Sequence, residues 1–387
     1  MNGSEEGRLL SLVDAVAGRR VAVIGDLIAD EFIYGEIARV SREAPVLILN
    51  YDSTEIVPGG AGNAAGNVAS LGGAARLAGL AGRDETGRRL LATLKKRRID
   101  VAPVARPAGY RTPTKTRILA GGIHSAKQQV VRIDRAAANT ADEAAKAAFR
   151  SRVLHAVRGC DALLVSDYGT GLVTPKLIAE AAQIFRLKAE ATARRRRRDP
   201  GNSRPDAGRS RSDSGRSRSN FGSFRLQAEG PILIDSRYDL LKYRGMTACT
   251  PNESEVEQAL GIRIGDNART LERAGRELLR RTRSEAVLIT RGSRGMALFQ
   301  AAQPTVHIPI FGSDQIADVT GAGDTVIATM TLALSAGASF EDAARLANRA
   351  GGLVVMKRGT ATVSASELRY AISGGAIGRP AGATGSA

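Results

Sequence analysis

Tryptophan is absent from this 387-residue chain and aromatic residues make up only 4% of it. The core must therefore be packed with Leu, Val, Ile and Ala, and apolar residues at 43% supply enough of them. Two cysteines, Cys160 and Cys249, exclude a disulfide scaffold. Each sits in an apolar run without a CxxC partner, which suits core residues in a reducing compartment. Thirteen prolines against 43 glycines point to tight turns, not to a polyproline linker. No window of 18 apolar residues occurs, so no transmembrane helix is expected. The N-terminus opens acidic at Glu5 and Glu6 and lacks the basic-then-apolar order of a secretory signal. These readings predict a soluble cytoplasmic protein with no membrane partner. The three histidines, His124, His155 and His307, lie too far apart for zinc-ligand spacing. GxxxxGK[ST] is missing and Val21–Asp26 lacks GxGxxG, which excludes P-loop and dinucleotide-binding enzymes.

Charge is uneven, with 56 basic against 39 acidic residues and a formal balance of +17. Residues 188–225 hold 12 basic and 4 acidic residues, a local excess of +8. Five consecutive arginines, Arg194–Arg198, open an Arg/Ser/Gly/Asp stretch with almost no apolar residues. It cannot fold alone and is expected to be a disordered surface insertion, not a boundary between domains. A polyanion could bind such a block. The lack of an aromatic before Phe221 leaves base stacking poorly served, so nucleic acid is the weaker reading.

The rest of the chain alternates short apolar runs with helical periods. Val21–Gly25, Ala75–Ala81, Ala162–Ser166, Ile232–Asp235, Ala248–Cys249 and Val287–Thr290 read as buried strands. Residues 63–71, 85–96, 142–157, 175–187, 253–260, 268–280, 325–335 and 340–355 read as helices. This order predicts an α/β fold with a doubly wound, mostly parallel sheet flanked by helices. Segments at 31–51 and 117–133 are short and broken by polar residues, as in a small exposed sheet. The predicted domain spans 12–375, and 376–387 is expected to be a flexible tail.

Four constellations carry chemistry. Asp318–Thr325 reads DVTGAGDT and leads straight into a helical run. Gly321, Ala322 and Gly323 can aim successive N–H groups at one spot at a helix start, where an anion is stabilised. Asp324 can there take a proton from an attacking hydroxyl; an ordinary glycine turn with an Asp N-cap reads equally well. Pro58–Asn63 (PGGAGN) places Gly59 and Gly60 before a helix, with Asn63 able to donate to a sugar hydroxyl. Asp26 and Asp30 follow the first strand, at the carboxyl edge where open α/β sheets bind ligands, or they cap turns. Asn252 and Glu255 stand three apart at a helix start, a spacing that suits Mg²⁺ held largely through water or a plain helix cap. Thr290, Gly292 and Gly295 end a strand in a glycine turn that could meet nucleotide phosphates.

In this order, the four features resemble the ribokinase-like (PfkB-type) family of carbohydrate kinases. The early GG turn and the late DxTGAGD motif, about 260 residues apart, carry the likeness. The resemblance implies a doubly wound sheet with a small β-sheet lid and an enzyme that uses ATP, Mg²⁺ and conceivably a monovalent cation. It implies that Asp324 is the base and Gly321–Gly323 the anion hole. Asp30, Gly59, Gly60 and Asn63 would touch the sugar, while Asn252 and Glu255 organise Mg²⁺. Thr290, Gly292 and the Asn348–Gly352 region would line the ATP site. Residues 25–35, Arg39–Val46, Thr114–Arg117, Gln128–Asp134, Ser166–Gly171 and Thr360–Leu368 resemble the heptose-7-phosphate kinase branch of that family. That likeness implies transfer to O1 of D-glycero-β-D-manno-heptose 7-phosphate, in the making of lipopolysaccharide-core precursors. It also implies a homodimer joined through the lid, and a separate nucleotidyltransferase for the later step. A sister kinase acting on a fructose phosphate, a tagatose phosphate or a free pentose shares the same core features.

A phosphorylated sugar calls for cationic anchors, and Arg39, Lys115, Arg117, Arg132 and Arg237 are the candidates. Two positions depart from the family pattern: Arg42 replaces a usual proline, and Asp235-Ser236-Arg237 replaces Asp-Pro-Lys. Deletion of residues 194–219 is expected to leave sugar-kinase turnover unchanged. A fall in kcat in the correctly folded deletion variant would give the insertion a part in the reaction.

Overall fold

The computed structural model describes residues 3–121, 127–135, 141–198, 230–312, 318–357 and 359–374, with side chains of 188–198 excepted. Its centre is β1 (Arg20–Gly25), buried from Val21 onward. Around it the main sheet has nine strands. β4 (Ala74–Leu80) and β5 (Val104–Ala105) lie to one side. To the other lie β8 (Ala162–Asp167), β9 (Ile232–Ser236), β10 (Ala248–Cys249), β11 (Ala286–Thr290), β12 (Met296–Gln300) and β13 (Val306–Ile308). Pairing is parallel from β5 through to β11, and antiparallel for β12 and β13. Since β1 is followed outward by β4 on one side and β8 on the other, the strand order reverses there. A crevice opens at the carboxyl ends on either side of such a point.

Helices cover both faces. α1 (Gly3–Ala15), α2 (Ala61–Ser70), α3 (Glu85–Lys96), α8 (Ala322–Ser335), α9 (Phe340–Val355) and α10 (Ala365–Ile372) bury one apolar cluster with Val21, Val23, Leu77 and Leu164. α4 (Glu143–Ala156), α5 (Pro175–Arg198), α6 (Glu253–Leu260) and α7 (Ala268–Thr282) bury the other with Ile24, Leu163, Val165 and Phe299. Alternate residues of each central strand feed opposite clusters, as the period of a strand dictates. Between α5 and β9 lies the arginine-rich stretch. The helix runs to Arg198, past the expected end at Leu187, so the arginine run prolongs it. The remainder of the expected insertion, the tail 376–387 and His124 lie outside the described residues.

The second sheet departs from the short strands expected at 31–51. β2 (Leu27–Val40) and β3 (Leu47–Gly60) are 14 residues each, and with β6 (Thr114–Gly121) and β7 (Gln128–Arg135) they form four strands in the order β3-β2-β6-β7. The inner end of β2, Leu27–Asp30, is buried and the outer end, Glu36–Val40, is exposed. Polarity changes along the strand because it leaves the core for solvent, and that change reads as a break in sequence. Also unexpected are α1, α10 and the antiparallel strands β12 and β13. His155 is exposed, as expected; Cys249 is buried and Cys160 only half-buried. Among the described residues no helix is long and apolar enough to cross a membrane.

β1 and β8 approach so closely that a Cβ on Gly25 would lie 2.1 Å from the Ser166 carbonyl oxygen. Because the obstacle is backbone of the central sheet, Gly25→Ala is expected to cost about 3 kcal/mol of stability. Urea unfolding of the two proteins checks this; an unchanged midpoint would contradict so tight a contact.

Candidate functional site

A cavity of about 590 Å³ opens where β1, β8, β9 and β11 end, roofed by the lid strands β2 and β6 and walled by α8 and α9. It brings together most of the residues singled out in the sequence. Asp30, Gly59, Gly60, Lys115, Arg117, Arg132 and Arg237 line it towards the lid. Asn252, Glu255, Thr290, Gly292, Gly295, Asn348 and Gly352 line the opposite part, and Gly321, Ala322, Gly323 and Asp324 lie between the two groups.

The DVTGAGD segment is built as a loop that ends abruptly in a helix. Asp318 accepts from the N–H groups of Thr320 (2.8 Å) and Gly359 (3.1 Å), which holds the loop's root. Gly321 is the N-cap of α8 with φ 81°, a left-handed conformation that favours glycine. A Cβ there would also strike the Asn63 amide at 2.5 Å. The first helical bond runs from Thr325 N–H to the Gly321 carbonyl, and Ala322 N–H is turned back to Val319. This leaves the N–H groups of Gly323 and Asp324 without an acceptor among the described residues. Two free donors at a helix start are an anion site.

Asp324 stands at that start, buried at 4% exposure. Its Oδ2 accepts from Asn63 Nδ2 at 2.8 Å, and its Oδ1 from the Tyr168 hydroxyl at 3.4 Å. Burial pushes its pKa up to about 7, with the Asp30 charge adding to the rise; the Asn63 and Tyr168 donors and Lys115 oppose it. Such a group is poised to accept a proton near neutrality.

Three expected sugar contacts lie elsewhere. Asn63 is fully buried and gives its amide to Asp324, not to the cavity. Asp26 accepts from Tyr168 N–H (2.8 Å) and the Thr170 hydroxyl (2.5 Å), stapling the end of β1 to the loop after β8. That is the capping reading of Asp26, and burial still pushes its pKa up to about 6. Arg39 lies exposed opposite Ile48 near the outer end of β2, away from the cavity of its own chain. β2 runs on past Asp30 for roughly 30 Å at about 3.3 Å per residue, which carries Arg39 out of reach.

The lid cations differ in how they are neutralised. Arg117 Nη1 pairs with Asp30 Oδ1 at 2.6 Å, and its guanidinium lies over the Phe32 ring. Arg132 makes two bonds of 2.7 Å to Asp134 on its own strand. Lys115 lies over the Tyr168 ring, and burial lowers its pKa, with Arg132 and Arg237 adding to the fall and Asp30 opposing it. Neither Lys115 nor Arg237 has a carboxylate within ion-pair distance among the described residues. These two are the cations available to an anionic ligand.

At the other end of the cavity the charges are negative. Asn252 and Glu255 form a reciprocal capping box at the start of α6, with both bonds at 2.9 Å, while also lining the cavity. The helix-cap reading of this pair is the one the bonds show directly. Asp235, at the end of β9, is pushed well above the usual carboxylate range by burial, then by the charges of Glu255, Asp324 and Asp167. Glu255 is raised by burial too. A half-buried pair of hard oxygen donors, with pKa values raised by their surroundings despite Arg237 nearby, fits Mg²⁺ held largely through water. Among the described residues no three His, Cys, Asp or Glu side chains converge closely enough to ligate an ion directly.

At the same end of the cavity, Thr290 N–H bonds to the Pro251 carbonyl at 3.0 Å and sets β11 against the Asn252 turn. Asn348 Nδ2 donates to the Pro309 carbonyl at 2.8 Å, so it props the cavity wall. Tyr168, Asp235, Thr250 and Thr360 also line the cavity and escaped the sequence reading as site residues. Tyr168 and Asp235 carried a signal, since each lies at the carboxyl end of a buried strand. Thr250 and Thr360 bring buried hydroxyls with no partner, which only the fold reveals.

Residues 19–183 and 229–367 match the pfkB family carbohydrate kinase pattern. The chain is 38% identical over 351 residues to the bifunctional protein HldE of Geobacter sulfurreducens, covering 89% of this chain and 61% of that protein. It is 35% identical over 364 residues to HldE of Trichlorobacter lovleyi, covering 94% and 65%. The chain thus spans less than two thirds of the length of these relatives. Among solved structures, a phosphofructokinase-2 mutant from Escherichia coli superposes with a TM-score of 0.65 at 16% identity, covering 92% of this chain and 98% of the other. Ribokinase from Arabidopsis thaliana gives 0.62 at 17%, covering 92% and 99%. At those identities the likeness speaks for the fold: α/β, ribokinase-like, with a mostly parallel sheet.

A reaction that uses Asp324 as proton acceptor needs it ionised, and its folded pKa lies at about 7. Accordingly kcat/KM is expected to fall as pH drops through about 7, tenfold per pH unit well below it. An acid limb near the ordinary carboxylate value would remove Asp324 from that role.

Proposed function

The chain belongs to the pfkB family of carbohydrate kinases, and from that premise we propose that it transfers the γ-phosphoryl group of ATP to O1 of D-glycero-β-D-manno-heptose 7-phosphate. The product is the 1,7-bisphosphate. The observation that carries this reading is the placement of Asp324 at the start of α8, beside two uncommitted N–H groups and facing the cavity. The sugar hydroxyl gives its proton to the Asp324 carboxylate as its oxygen attacks the γ-phosphorus, and ADP leaves with the electrons of the broken P–O bond. The Gly323 and Asp324 N–H groups face the charge on the transferring group, where fixed donors act without reorganising. Asn252 and Glu255, with Asp235 beside them, would hold Mg²⁺, which supplies neutralisation of the phosphate charge. Lid strands β2 and β6 over the cavity exclude water that would otherwise accept the phosphoryl group.

The phosphorylated acceptor is supported by Lys115 and Arg237, cations without a carboxylate partner on the cavity wall. The heptose within that class is supported by the lid segments, where the sequence resembles the heptose-7-phosphate kinases. Exposed Ile37, Val40, Val46, Leu47, Tyr51, Val131 and Ile133 on the lid strands support a homodimer through that sheet. We place the enzyme in the cytoplasm, where ATP and sugar phosphates are found.

ADP release with Mg²⁺-ATP across heptose 7-phosphate, fructose 6-phosphate, fructose 1-phosphate, tagatose 6-phosphate, ribose and fructose tests the acceptor. A kcat/KM for the heptose phosphate well above the others is expected, and preference for another sugar would overturn that assignment. Asp324→Asn is expected to lower kcat by about 10³ in a folded protein, within the span of general-base catalysis.

A further inference from the structure

Helix α2 presents two asparagines, Asn63 and Asn67, one turn apart and on the side that packs against α8. Both are fully buried, and a buried amide costs free energy unless each side of it is paired. The pairing here runs in one direction only. The Thr325 hydroxyl of α8 donates to Asn67 Oδ1 at 3.0 Å, and the Asn63 backbone carbonyl, which can only accept, requires the other side of the amide to be its NH₂. Asn67 Nδ2 therefore faces Asn63, donating to its backbone carbonyl at 3.1 Å and approaching its side-chain Oδ1 at 3.4 Å. With its oxygen so engaged, Asn63 turns its Nδ2 to Asp324 Oδ2, 2.8 Å away. In the flipped state a carbonyl oxygen would meet the carboxylate, and two NH₂ groups would meet each other.

We propose that Asn67, backed by Thr325, is a positioning residue for phosphoryl transfer. It locks the Asn63 amide with its donor towards Asp324, and so fixes the plane of the base's carboxylate. Asn67 touches neither the cavity nor any ligand position; it acts through Asn63. This rests on Asp324 being the base, as proposed above. Asn67→Leu removes the lock with little change of volume, and Thr325 retains the Gly321 carbonyl, 3.2 Å away, as acceptor.

The test compares steady-state kinetics of the wild type, Asn67→Leu, Asn63→Leu and the double variant, with whichever sugar the enzyme accepts. Asn67→Leu is expected to lower kcat by about ten- to a hundredfold, the effect of a misaligned reacting group, with KM for ATP and sugar within about twofold. In the Asn63→Leu background the same substitution is expected to cost nothing further. An unchanged kcat, a loss confined to KM, or a full second loss in the double variant would each overturn the proposal. Should Asn67→Leu fail to fold, Thr325→Val removes only the donor behind Asn67. A fall in kcat at constant KM then supports the lock, and unchanged kinetics refute it. Asp324→Asn separates the two readings: if it retains turnover, the base assignment fails, whatever Asn67→Leu does.

Discussion

Everything at this site depends on keeping one carboxylate out of water at the start of a helix. An isolated buried carboxylate is costly, and the fold meets that cost with neutral donors instead of a cation. Asn63 comes from α2 and Tyr168 from the loop after β8, so the helix start, its neighbour helix and the central strands must all be in register. A guanidinium in their place would hold Asp324 ionised far below neutrality and leave a poor base. Neutral donors orient the group and still let it take up a proton. The same choice explains why the glycines matter: they bring backbone N–H groups to the cavity beside Asp324 with no side chain in between.

The cavity is polar along its length in a second sense. Cations gather under the lid, while Asp235 and Glu255 sit at the opposite wall. Within the lid cluster the fold has already spent part of its positive charge. Arg117 answers Asp30 and Arg132 answers Asp134, which leaves Lys115 and Arg237 as the unanswered charges. The two come from different elements, Lys115 from the lid strand β6 and Arg237 from the chain just past β9 of the main sheet.

Much of this was legible in the sequence, for reasons that differ by residue. Asp324, Gly321 and Gly323 stand in one short motif whose geometry is local, so its expected place at a helix start is where the fold puts it. Helices 85–96, 253–260 and 340–355 were bounded correctly because caps and dipole-matched ends mark them. Asn63 and Asp26 were misdirected because a polar residue beside a glycine turn looks the same whether it faces ligand or protein. For Asn63 the packing of α2 on α8, more than 250 positions apart in the chain, makes the distinction, and for Asp26 the loop after β8, 142 positions on, makes it. Asp235 escaped as a site residue for the converse reason: its environment is made by Glu255 and Asp324, and neither is near it in sequence. Strands β2 and β3 were underestimated where they leave the core, since exposure erases the alternation that marks a strand.

That continuity of β2 has a mechanical meaning. One unbroken strand carries Asp30 at its root, inside the site, and Val40 at its tip in solvent. The backbone ladder to β3 and β6 stiffens it over most of that length. The lid is a cantilever clamped at the wall of the cavity, not a flap on a separate hinge. Force applied at the tip passes the two β-bulges near Tyr34–Gly35 and Ile37–Arg39 before it reaches the Asp30–Arg117 pair.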